Sequence, residues 1–209
     1  KIEQGKTLAI LGRTGSGKTS VINLVARLFD ADSGTILIDG IPIKEVNLFD
    51  LRNSIGFVPQ DAFLFSDTIR NNIKIGKEDA TDEEVIQAAK DAYIDHNIQE
   101  FSKKYDTLIG ERGVTLSGGQ KQRISIARAL ISEPKILIFD DCLSAVDTET
   151  EEIILNNLNR VREGKTTIIV SHRPSSVKNA DKIIVLHEGQ IVQRGTHNTL
   201  INISGYYQD

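Results

Sequence analysis

The 209 residues carry 25 lysines and arginines against 29 aspartates and glutamates, a formal charge of −4, and 39% of them are hydrophobic. That suits one large domain or a core with an inserted subdomain, and the acidic balance argues against nucleic acid as the main partner. No apolar run reaches the ~20 residues of a membrane span, no secretory signal is visible, and the only cysteine, Cys142, excludes an internal disulfide and points to a reducing cytosol.

The chain has no methionine and opens on Lys1-Ile2-Glu3-Gln4-Gly5, a turn leading straight into an apolar strand. It reads as a domain taken from a longer protein. Thr7-Leu8-Ala9-Ile10-Leu11 is a short apolar run ending in glycine, as expected of a central parallel strand. From Lys18 onward, Val21, Leu24, Val25 and Leu28 recur at helical spacing. Thr35–Ile38 and Ile55–Val58 are strand candidates, and from about Asp61 to Leu130 the pattern turns helical. Thr81-Asp82-Glu83-Glu84 reads as a capping box opening a helix through Ala92. A second helix is expected from Gly118, with Ile124, Ala127 and Ile131 on one face.

Strand patterns return at Ile136–Phe139, Thr166–Val170 and Ile183–Leu186, with a helix carrying Ile153, Ile154, Leu158 and Val161 between the first two. His187-Glu188-Gly189-Gln190 reads as a hairpin turn into Ile191-Val192. The alternation implies an α/β layer with a largely parallel sheet, interrupted by a mostly helical insertion. No repeat or low-complexity tract is visible.

Gly12-Arg13-Thr14-Gly15-Ser16-Gly17-Lys18-Thr19 matches glycine, four residues, glycine, lysine and threonine between a strand and a helix. In such a loop the glycines let backbone N–H groups turn inward around phosphate oxygens, and the helix start adds its dipole. Lys18 supplies a point charge for the β- and γ-phosphates, and the Thr19 hydroxyl is placed for Mg²⁺. Ser20, next on the same helix start, completes the nucleotide-binding set. Ile136–Phe139 runs into Asp140-Asp141. The first carboxylate would hold Mg²⁺ through a water and the second would face an attacking water. Ser117-Gly118-Gly119-Gln120 offers a second anion-binding helix start. One nucleotide does not need two such cradles from one chain, so the pair reads as a dimeric ATPase.

Leu116-Ser117-Gly118-Gly119-Gln120 followed by Lys121-Gln122-Arg123 resembles the ATP-binding cassette signature, and the resemblance covers nearly the whole chain. It implies a P-loop NTPase (RecA-like) α/β core over about 1–60 and 133–209, with an inserted α-helical subdomain over about 61–132. It further implies that Gln60, in Val58-Pro59-Gln60-Asp61, contacts Mg²⁺ and the attacking water. Ser144-Ala145-Val146-Asp147 would be the loop that meets the partner, and His172 would touch the γ-phosphate. Ile109-Gly110-Glu111-Arg112-Gly113 and Phe63-Leu64-Phe65-Ser66-Asp67-Thr68-Ile69-Arg70-Asn71-Asn72-Ile73 resemble exporter segments, the second facing the coupling helices of a transmembrane domain. Expected partners are therefore a second nucleotide-binding domain, packed head to tail as a homo- or heterodimer, and those coupling helices. Ser117, Gly118, Gly119 and Gln120 would then serve a nucleotide held by the other domain. The implied place is the cytoplasmic face of the cell membrane, and the implied ligands are ATP and Mg²⁺.

Two departures stand out. Hydrolytically strong members carry glutamate where this chain has Asp141, one methylene shorter, which is about 1.5 Å of reach. In heterodimeric exporters that substitution marks the subunit of the slow site. No aromatic residue precedes Gly12, so an adenine-stacking side chain is missing from these residues. The competing readings are a soluble ATPase of the same family, for which no coiled coil or basic linker is present, and a regulatory module that closes on nucleotide but barely hydrolyses it. Neither lipid, drug nor peptide is favoured as a transported substrate.

Overall fold

Apolar runs of four to six residues become strands here because a sheet covered on both sides buries them whole. The computed structural model describes residues 1–110, 113–143, 146, 148–161 and 163–208. In chain order the elements begin with β1 (Thr7–Gly12), α1 (Lys18–Val25), β2 (Leu37–Ile38), β3 (Ile41–Pro42), α2 (Leu48–Asn53) and β4 (Ile55–Val58). Five helices and one strand follow: α3 (Ile69–Lys74), α4 (Asp82–Asp91), α5 (Asp95–Glu100), α6 (Gly118–Leu130), β5 (Ile136–Asp140) and α7 (Thr148–Val161). The chain closes with β6 (Thr166–Ser171), β7 (Lys182–His187), β8 (Gln190–Gly195) and α8 (His197–Leu200).

The chain divides into two units, one comprising Lys1–Gly56, Lys135–Asp141 and Gly164–Asp209, the other Phe57–Pro134 and Cys142–Glu163. The first is built on a sheet ordered β4-β5-β6-β1-β7-β8. β1 pairs in parallel with both β6 and β7, β5 pairs in parallel with β6, and β8 runs antiparallel to β7. Ala9, Ile10, Ile138, Ile168 and Ile183 are buried in its strands, and Ile22 brings α1 into the same core. This is the expected α/β layer with a largely parallel sheet. β7 and β8 join through Glu188 (φ +48°) and Gly189 (φ +76°), two successive left-handed residues that match the twist of the strands.

The strand expected over Thr35–Ile38 is shorter than its apolar run. Only Leu37–Ile38 is extended, paired with Ile41–Pro42 across Asp39 (φ +51°) and Gly40 (φ +82°). An Asp-Gly pair favours this tight turn, which cuts the run short and folds it into a two-stranded hairpin.

The second unit is helical. Thr81 and Glu84 close the expected capping box at α4: the Glu84 amide donates to the Thr81 hydroxyl and the Thr81 amide to the Glu84 carboxylate. α6 packs against α3 and α4, and α4 also meets α5 and α7. Ile124, Ala127 and Ile131 are buried as expected, but so are Gln122, Arg123, Ser125, Ile126 and Ala129. A helix buried on nearly every side is the centre of its unit.

Candidate nucleotide-binding site

The phosphate loop leaves β1 at Gly12 and enters α1 at Gly17. A Cβ at Gly12 would run into the Leu186 carbonyl and the Ser16 hydroxyl, so no other residue fits without moving β7. Gly17 sits at φ +97° as the N-cap of α1, a left-handed conformation that glycine adopts at little cost. No side chain caps α1, so its first-turn amides are open to an anion. The Ser16 hydroxyl is buried without a partner among the described residues. Its amide donates to Arg13 O (3.1 Å), and its carbonyl accepts from Gly189 N (3.1 Å). An orphaned buried hydroxyl beside uncapped amides is a donor set that a phosphate group completes. Arg13, Thr14 and Gly15 form the exposed crest of the loop, and Ser20 is exposed on the first turn of α1.

Lys18 Nζ donates to Gly12 O (2.8 Å) and Arg13 O (2.9 Å), folding its ammonium over the loop. Burial lowers its pKa, and the Asp141 and Asp140 carboxylates oppose that shift. Asp140 ends β5 beside α1, where the Thr19 hydroxyl donates to its Oδ2 at 3.2 Å. Burial raises the Asp140 pKa; the Thr19 hydrogen bond works against this, the neighbouring Asp141 adds to it, and Lys18 pulls it back. A hydroxyl and a carboxylate in contact supply the hard oxygen ligands that Mg²⁺ takes, with waters and phosphate oxygens completing the shell. The residues present fit that ion.

Asp141 continues from β5 in a left-handed conformation, φ +44°, with its amide bonded to Val170 O at 2.9 Å. Its carboxylate oxygens each lie 3.0 Å from His172 Nδ1, just past the end of β6. A cleft of about 310 Å³ opens beside these groups, lined by Leu11, Gly12, Arg13, His172, Pro174, Val185 and Tyr206. Tyr206 was not anticipated. The Arg13 guanidinium stands 5.4 Å over its ring, and its hydroxyl is 2.7 Å from His187 Nδ1. A tyrosine eleven residues past the last strand carries no sequence signal for that position.

The first unit thus brings together Lys18, Thr19, Asp140, Asp141 and His172. Gln60 and Ser117–Gln120 belong to the second unit. There Ser117 caps α6 reciprocally: the Gln120 amide donates to the Ser117 hydroxyl (3.2 Å) and the Ser117 amide to Gln120 Oε1 (2.9 Å). Ser117 and Gly118 are exposed, so the capped helix start faces solvent above a buried Leu116. Gln60 is exposed, and its backbone carbonyl accepts a short hydrogen bond from Gln122 Nε2. Ser144, Ala145 and Asp147 of the expected partner loop, and Glu111 and Arg112 of the segment before the signature, lie outside the described residues.

A glycine loop between strand and helix, with a lysine over it and a threonine–aspartate pair at its end, defines a P-loop NTPase. Residues 1–144 match the ABC transporter family, and the chain belongs to it. It is 49% identical over its whole length to the probable multidrug resistance ABC transporter ATP-binding/permease protein YheI of Bacillus subtilis. A putative multidrug export ATP-binding/permease protein of Staphylococcus aureus is 51% identical over 99% of the chain. A solved structure of a bacterial Atm1-family ABC exporter with ATP bound aligns over 99% of the chain with a TM-score of 0.94 and 43% identity. In each case the chain spans 36% of the other protein. It is the ATP-binding, ATPase domain of this family, homologous to the corresponding part of multidrug exporters.

Proposed function

We propose that this domain is the motor of an exporter, using ATP-driven closure against a second nucleotide-binding domain to drive a membrane-embedded partner. The observation that carries this is the presence of two glycine-bearing helix starts in one chain, uncapped α1 behind the phosphate loop and α6 at exposed Ser117-Gly118. The names of its relatives, multidrug export ATP-binding/permease proteins, agree with it. No described helix is long and apolar enough to cross a membrane; the relatives are ATP-binding/permease proteins of which the chain spans 36%, and in this reading the transport path corresponds to their remaining part. Its place would be the cytoplasmic face of the membrane.

In this reading Gly12–Ser20 grip the phosphates through amides, Lys18 holds the β- and γ-oxygens, and Ser117–Gln120 close over the nucleotide of the opposite domain. Thr19, Asp140 and Gln60 would hold Mg²⁺, which supplies charge neutralisation for phosphoryl transfer. His172 touches the γ-phosphate and Asp141 orients the attacking water. The exposed pair Phe63 (65% exposed) and Phe65 (50%), edge to face at 4.9 Å, offers an apolar ridge for the coupling helices. Asp141 makes this a slow site, which fits one half of a heterodimer better than a symmetric pair.

The test is ATP-driven uptake of a fluorescent drug into inverted vesicles containing the full-length protein. Uptake lost in Lys18→Ala supports the reading. Robust ATP hydrolysis with no transport of any tested drug, lipid or peptide would overturn it in favour of a soluble or regulatory ATPase.

A further inference from the structure

Four polar contacts tie one segment of the second unit to α6, and neither of the two α6 side chains that make them belongs to the nucleotide-contacting set. At one end, Gln122 Nε2 donates to the Gln60 carbonyl, while Gln122 itself is buried. At the other, Arg128 spreads its guanidinium over three acceptors: Asn72 O (2.8 Å), Asn72 Oδ1 (3.0 Å) and Phe63 O (2.9 Å). Asn72 is fully buried and passes the grip on: its Oδ1 accepts from Phe65 N (2.8 Å), and its Nδ2 donates to Phe65 O and Thr68 O (both 3.0 Å). Arg128 also stands 6.0 Å over the Phe65 ring.

Buried polar groups are costly unless paired. Buried Gln122 and half-buried Arg128, six residues apart on one helix, are spent on the Gln60 and Phe63 carbonyls of an irregular stretch and on Asn72 in α3. An arginine fork suits this because its planar, preorganised donors fix direction as well as distance. We propose that Gln122 and Arg128 are positioning residues that clamp residues 60–72 to α6. Gln60 and the Phe63–Phe65 ridge then move as one body with the Ser117-capped start of that helix. A push on the ridge is delivered to the signature motif and to Gln60 together. The coupling role rests on the reading of the ridge as a docking surface; the clamp itself does not.

The experiment uses the full-length protein with Gln122→Met, which keeps length and removes the donor, and Arg128→Lys, which keeps charge and removes the fork. Hydrogen exchange reads the Phe65 amide, steady-state kinetics read ATP turnover, and a fluorescent ATP analogue reads affinity. Exchange at Phe65 should rise at least tenfold in Arg128→Lys. In both variants kcat should fall about tenfold, with nucleotide affinity within twofold, because the phosphate loop is untouched. Unchanged kcat in both, or a fall matched by equal loss of affinity and folded protein, overturns the proposal. Phe63→Ala/Phe65→Ala separates the two readings. If that variant transports normally while Arg128→Lys is slow, the docking surface is wrong and the clamp stands. If it uncouples transport while Arg128→Lys does not, the clamp is wrong and the surface stands.

Discussion

His172 Nδ1 lies 3.0 Å from both carboxylate oxygens of Asp141, so a strand-end histidine and the shorter-than-usual acid face each other directly. The contact is made possible by backbone: Asp141 adopts φ +44°, a left-handed conformation that aspartate tolerates better than most residues. A carboxylate aimed at histidine with both oxygens has less freedom to orient a water. Asp141→Glu adds about 1.5 Å of reach, and on the order of 10²-fold in rate hangs on placement of about 1 Å at a catalytic group. We expect this variant to raise ATP turnover at this domain's site by about tenfold or more in the assembled protein. His172→Ala should lower turnover with little change in nucleotide affinity. Single-turnover hydrolysis measures both, and a glutamate variant no faster than the parent would sink the slow-site reading.

Lys18 and Thr19 are predicted to separate phosphate affinity from metal dependence. Lys18→Ala removes a charged donor, for which about 1.5–3 kcal/mol is typical, so ATP affinity should fall roughly 10- to 150-fold. Thr19→Val keeps the shape but strips Asp140 of its 3.2 Å hydroxyl donor. Metal-free ATP binding should then change little, while the gain on adding Mg²⁺ is lost. Titrations with and without chelator decide it; a threonine variant that still gains from Mg²⁺ would place the ion elsewhere.

Much of this site was legible because its chemistry is local in sequence. The phosphate loop works through the backbone of eight consecutive residues, and Asp140 and His172 follow apolar strands that the sheet must align. The capping box at Thr81 was readable for the same reason, since it closes over three residues; Ser117 was readable as a helix cap, but its reciprocal bonding with Gln120 was not. Gln122, Arg128 and Asn72 were not. Their partners lie 62 and 56 residues away, and on a helix buried on nearly every side a polar residue gives no clue to which carbonyl it serves. Tyr206 over Arg13 escaped likewise. Nor does an aspartate after an apolar strand announce the left-handed backbone at Asp141.

Gly12 and Gly15 should respond differently to alanine. At Gly12 the new methyl would collide with the Leu186 carbonyl, held in a strand, and with the Ser16 hydroxyl. Overpacking of this kind typically costs about 1–3 kcal/mol, and the distortion falls on the phosphate loop. Around Gly15 nothing lies within 4 Å, so only the φ of +81° resists substitution, about 1–2 kcal/mol for a left-handed residue. Gly12→Ala should therefore lower the unfolding midpoint and abolish ATP binding, whereas Gly15→Ala should weaken binding with a smaller loss of stability. Equal effects on both quantities would contradict the packing argument at β7.

The α4 cap offers a pH-dependent test in the second unit. The hydrogen bond from Lys77, followed by that from the Thr81 amide, lowers the Glu84 pKa, and the same Glu84 pair raises that of Lys77. A depressed carboxylate contributes stability that is present above glutamate's ordinary 4.5 and lost as pH falls through the folded value. A raised lysine contributes below its ordinary 10.5 and loses that contribution as pH climbs through the folded value. Both contributions are therefore complete between about pH 5 and 10 and fade outside it. Glu84→Gln keeps the capping box, because a glutamine oxygen still accepts from Thr81, but removes the ion pair. Thermal unfolding should show the parent more stable than Glu84→Gln at neutral pH, with the gap closing as the solution is acidified below 4.5. Both side chains are half-exposed, so the gap should also shrink with added salt. A difference that stays constant from pH 3 to 8 would assign the effect to the helix cap alone.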